Sequence, residues 1–73
     1  MSYLPLSETE RFEIRDELNS LLLEHRDLDL TIRHLSEASP PNELLMRRLK
    51  KRKLNLKDRI FALENLLTPD ITA

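Results

Sequence analysis

The chain has 73 residues, 40% apolar and 34% charged, with a formal net charge of −1 and no Gly, Trp or Cys. That length allows one small domain, and that composition suits long helices while excluding disulfides, thiolate metal sites and Cys nucleophiles. A lone two-helix unit of this size buries too little apolar surface for more than marginal stability, so association is expected.

The opening Met1-Ser2-Tyr3-Leu4-Pro5 has neither the charged n-region nor the apolar h-region of a secretory signal. No apolar run approaches the roughly 18 residues of a membrane span, so a cytoplasmic protein with no membrane partner is the expectation. Ser7-Glu8-Thr9-Glu10 reads as a capping box that starts a helix near Glu8. With no Gly or Pro to interrupt it, and with acids in its first turns where the macrodipole favours them, this helix is predicted over about 8–37. A turn follows over about 38–41, in Ala38-Ser39-Pro40-Pro41-Asn42, with Ser39 or Asn42 as the next cap. The second helix is predicted over about 41–67, and Pro69 disfavours helical geometry at Thr68, which leaves 68–73 as an expected flexible tail.

Across this turn the apolar positions pair at a constant residue-number sum of 81: Leu35 with Met46, Ile32 with Leu49, Leu21 with Ile60, Leu18 with Leu63 and Ile14 with Leu67. Within each half the spacing alternates three and four residues, the seam of a coiled coil. A constant sum requires antiparallel halves. The fold class is therefore all-α, an antiparallel two-helix hairpin of coiled-coil type, and the expectation is that hairpins pair into a dimeric four-helix bundle. The same register places Arg15 near Glu64, Asp29 near Lys50 and Glu24 near Arg59, all opposite in sign.

Two polar residues occupy seam positions in adjacent layers, His25 opposite Leu56 and Lys53 opposite Leu28. Polar seam residues set register or oligomer state at some cost in stability, so His25, Lys53 and Asp29, toward which Lys53 can snorkel, are candidates for pairing specificity. His25 has a carboxylate such as Asp58, or the same His in a second hairpin, as a possible hydrogen-bond partner. It makes a poor metal ligand, because His34 lies nine positions away on the opposite side of the helix. No metal, cofactor or catalytic constellation is expected, and an open hairpin offers no pocket for an enzyme's substrate.

Charge is divided between the halves: residues 1–39 hold nine acids and four bases, and residues 40–73 hold four acids and eight bases. Most bases fall in Arg47-Arg48-Leu49-Lys50-Lys51-Arg52-Lys53. Lys50, Arg52 and Lys53 lie at or beside the seam, which leaves Arg47, Arg48 and Lys51 as candidate nucleic-acid contacts. No aromatic side chains are interleaved for base stacking, and the chain as a whole is slightly acidic. Attraction between the two helices is the simpler use of the charge pattern.

Leu23 and Leu30 on the first helix, Leu54 and Phe61 on the second, and Leu44 near the turn fall outside the seam. They are candidates for a surface that meets another hairpin or a partner helix, extended at the open end by Phe12 and Tyr3.

The segments His25-Arg26-Asp27-Leu28-Asp29-Leu30-Thr31-Ile32 and Leu49-Lys50-Lys51-Arg52-Lys53-Leu54-Asn55-Leu56-Lys57-Asp58-Arg59-Ile60 resemble the YdcH-like family of short bacterial proteins, a domain of unknown function. Its signature is a His followed by Leu-Asp in the first helix and a Leu-Lys-x-x-Lys-Leu-x-Leu-Lys-Asp block in the second. The resemblance covers about residues 18–64. It implies a helical hairpin of bacterial origin and no established reaction or ligand. The sequence thus reads as a small non-enzymatic protein-binding or assembly module that forms a homo-oligomer, a dimer first, with nucleic-acid binding through the basic helix as the alternative.

Overall fold

A computed structural model describes residues 6–38 and 40–68. Tyr3, Ser39 and the tail from residue 69 onward lie outside the described residues. The element order is α1 (Glu8–Ser36) and α2 (Glu43–Leu67), with no strand among the described residues. The two helices pack along their length as an antiparallel hairpin, elongated to 54 × 24 × 19 Å.

Each helix end follows from a local hydrogen-bond requirement. The first N–H groups of a helix have no intrahelical acceptor, and at α1 the Ser7 hydroxyl accepts from the Glu10 amide at 3.0 Å while the Ser7 amide donates to Glu10 Oε1 at 2.8 Å. The capping box is complete. At α2 the Asn42 side chain accepts from the Leu45 amide at 3.0 Å. Asn42 is extended, with φ −88° and ψ 95°, so the helix proper begins at Glu43, two residues later than Pro41. A side-chain cap needs a non-helical residue, and that requirement outweighs the tolerance of Pro for a first helical turn. At the far end Thr68 is extended, as a residue before Pro should be.

The seam is visible as burial. Ile32, Met46, Leu56, Ile60 and Leu63 are buried, and the other seam positions, from Ile14 to Leu35 and from Leu49 to Leu67, are half-buried. Among the described residues Leu63 alone is nearly sealed, at 1% exposure. Two helices cover each other on one side only, so most seam side chains keep an edge in water.

Candidate interaction surface

An α-helix turns about 100° per residue, so the seam divides the outside of the hairpin into two flanks and two outer edges. One flank is clamped by ion pairs. Arg59 grips Glu17 through Nη2 at 3.1 Å and Nε at 3.2 Å, and Arg52 Nη2 meets Glu24 Oε2 at 2.8 Å. These are the flank positions expected to face each other, but displaced by one heptad: Glu24 takes Arg52 in place of Arg59. The reason is economy of partners. The expected level pairs Glu24 with Arg59 but sets Glu17 against Leu66 and Arg52 against Thr31, whereas the displaced level satisfies two acids and two bases. The paired residues then sit five positions off level in the sum-of-81 register, about 7.5 Å along the axis, within reach of extended Arg and Glu side chains.

Across the seam, Lys53 leaves its layer and donates to Asp29 Oδ1 at 2.5 Å, with Arg33 joining at 3.6 Å from Asp29 Oδ2. Asp29 therefore pairs with Lys53, not with Lys50. The Lys53 hydrogen bond and charge, reinforced by Arg33 and by nearby His25, hold the Asp29 carboxyl below its usual range. His25 sits beside this cluster, half-buried, with its Nε2 enclosed and without a hydrogen-bond partner. Asp58 does not serve it, because that residue is exposed on the outer side of α2.

The rest of this second flank is open. Arg15, Lys50, Lys57 and Glu64 make no ion pair among the described residues. Alongside them lie Leu54, Phe61 and Leu22, 58%, 65% and 43% exposed. A shallow groove of about 360 Å³ runs here between His25, Ile32, Lys50, Lys53, Leu54 and Lys57. It is too open to exclude water.

The five apolar residues singled out from the sequence are all exposed, but they do not form one surface. Leu54 and Phe61 face out from the open flank of α2. Leu23 and Leu30 lie on the outer edge of α1, opposite its seam, and Leu44 lies alone on the outer edge of α2. Arg47, Arg48 and Lys51 are exposed about that same edge within little more than one turn, Lys51 on the edge itself, Arg47 toward the open flank in line with Leu54 and Arg48 toward the clamped flank. No group of three His, Asp or Glu side chains converges in a metal-binding arrangement among the described residues, and no described helix is long and apolar enough to cross a membrane.

The molecule is thus an all-α hairpin whose outside carries two separate apolar stripes. The family model described as "Protein of unknown function (DUF465)" matches residues 18–64, well over half of the chain. The protein belongs to that family, which is the YdcH-like family. Neither a curated protein nor a solved structure matches the chain. The matched segment holds both apolar stripes, the Lys53–Asp29 bond and the Glu24–Arg52 pair; Glu17 lies one residue outside it.

Proposed function

We propose that the protein is a small non-enzymatic assembly module, in which hairpins associate with one another into dimers or larger bundles. The observation behind this reading is the exposure of Leu23, Leu30, Leu54 and Phe61, between 42% and 65%, at heptad spacing on both helices of a chain with a thin core. Single exposed leucines are ordinary, but heptad-spaced pairs on both helices are the pattern of helices that meet other helices. Sedimentation of the purified protein at tens of micromolar should give a dimer or larger species, and Leu30→Lys with Phe61→Lys should shift it to monomer. A helical monomer at every concentration ends this reading.

The alternative, nucleic-acid binding, draws on Arg47, Arg48 and Lys51, which lie about one edge without ion-pair partners among the described residues. Three cations on one turn would give a salt slope of only about three phosphates. An affinity pull-down from source cells with and without nuclease separates the two readings, since only a nucleic-acid-mediated capture is lost on digestion.

A further inference from the structure

The outer edge of α1 and the open flank of α2 each repeat the construction of the hairpin seam. On α1, positions 16, 20, 23, 27, 30, 34 and 37 alternate in steps of four and three; on α2, positions 47, 50, 54, 57, 61, 64 and 68 do the same in the opposite order. Set antiparallel at a residue-number sum of 84, they match layer by layer. Leu23 meets Phe61 and Leu30 meets Leu54; Asp27 meets Lys57 and Glu37 meets Arg47. The other layers pair Asp16 with Thr68, Ser20 with Glu64 and His34 with Lys50, so no layer opposes two carboxylates or two permanent cations.

Both stripes point outward, so they cannot meet within one hairpin. Resting on the assembly reading above, we propose that the acidic outer stripe of α1 docks on the basic stripe of α2 of a second copy, in this sum-of-84 register. The occupant follows from charge. A two-fold pairing of the α2 stripe with itself, Leu54 against Phe61, sets Lys50 against Glu64 but brings Lys57 onto Lys57 in its central layer, between the two apolar ones. A two-fold pairing of the α1 stripe with itself, Leu23 against Leu30, brings Asp27 onto Asp27 and Asp16 onto Glu37. Like charges in contact suppress both. The mixed pairing alone opposes no like charges, and the four charges it uses, Asp27, Glu37, Arg47 and Lys57, are exposed and make no ion pair within the described chain.

Each copy then offers one stripe of each kind, which makes the contact heterologous. Association therefore does not stop at a two-fold pair, and species grow with concentration. One contact spans about 30 Å of helix and falls at the small end of protein interfaces, which places its dissociation in the micromolar range or weaker.

The test is complementation between two disabled copies. Leu23→Lys removes the α1 stripe and leaves the α2 stripe; Phe61→Lys does the reverse, and both positions are exposed, so circular dichroism should show unchanged helicity. Each variant alone should sediment as a monomer up to about 200 µM, while an equimolar mixture should form a one-to-one heterodimer that grows no further. In a second arm, Asp27→Lys and Lys57→Asp should each weaken wild-type growth by about threefold to tenfold, and the doubly swapped chain should recover it. A mixture that stays monomeric, or single variants that associate like the wild type, overturns the stripe pairing and leaves self-association standing. A wild-type protein that is itself monomeric throughout overturns the assembly reading as well.

Discussion

The two flanks of the helix pair treat their charges in opposite ways. On one, Glu17, Glu24, Arg52 and Arg59 are spent on each other in two interhelical pairs. On the other, among the described residues, Lys53 and Asp29 form the single interhelical ion pair, and Arg15, Lys50, Lys57 and Glu64 stay unpaired beside exposed Leu54 and Phe61. Charges paired within the chain select the register of the hairpin. Charges left free beside apolar side chains are available to select a partner. The clamped flank thus reads as internal fastening and the open flank as contact surface.

The sharpest test of that division compares near neighbours on α2. Leu63 is 1% exposed in the seam and Phe61 is 65% exposed on the open flank. Truncating a sealed Leu costs about 2–5 kcal/mol, of the same order as the whole stability of so small a unit. Leu63→Ala should therefore leave the protein largely unfolded at 25 °C by circular dichroism. Phe61→Ala should change the melting of the monomer by less than about 0.5 kcal/mol. Equal losses at the two positions would erase the distinction between seam and outside.

His25 tests the seam from within. Its Nε2 is buried without a partner, and an unsatisfied buried polar atom costs about 1–3 kcal/mol. His25→Leu should raise the unfolding free energy by about 1 kcal/mol, read from urea titration, and broaden the distribution of oligomers if the imidazole helps to exclude wrong pairings. A loss of stability instead would mean that the imidazole has a partner, such as the same His of another copy.

How much of this was legible in the sequence follows from what each feature depends on. Caps and seam are local or periodic: Ser7-x-x-Glu10 names its own hydrogen bonds, and the spacing from Ile14 to Leu67 fixes the antiparallel hairpin and its buried face. The Lys53–Asp29 bond was legible too, because a lysine in an apolar layer has to carry its charge outward to a nearby acid. The Glu–Arg pairs were legible only to the flank. Choosing between Arg52 and Arg59 for Glu24 depends on what Glu17 and Thr31 would be left facing, a property of the whole flank and not of any one pair. The apolar residues outside the seam were visible singly, but their separation into two stripes needs the angular position of each around its helix.

A smaller effect sharpens the clamped flank. A double-mutant cycle on Glu24→Gln and Arg52→Gln should return a coupling of about 0.5 kcal/mol, since both side chains are about half exposed and exposed pairs contribute about 0–1 kcal/mol. Raising the salt should shrink it further. The companion cycle on Glu24 and Arg59 should return no coupling, because Arg59 is engaged by Glu17. A coupling at Glu24–Arg59 that matched the one at Glu24–Arg52 would place the flank at the undisplaced level.

The smallest effect lies on the open flank, in the pH response of Asp29. Lys53 and Arg33 hold its folded-state pKa below the unfolded value of about 3.9. A carboxylate so lowered binds fewer protons folded than unfolded, so its contribution is complete above the unfolded value and is lost as pH falls through the lower folded one. The pairs are solvent-exposed, so the amplitude is small. In thermal melts between pH 6 and pH 2, wild type should lose more stability below pH 4 than Asp29→Asn, whose uncharged amide cannot titrate. The two curves should run parallel above pH 5, offset by the lost ion pair. If they also run parallel below pH 4, the bond from Lys53 does not favour the charged carboxylate, and the seam lysine is held by solvent instead of by Asp29.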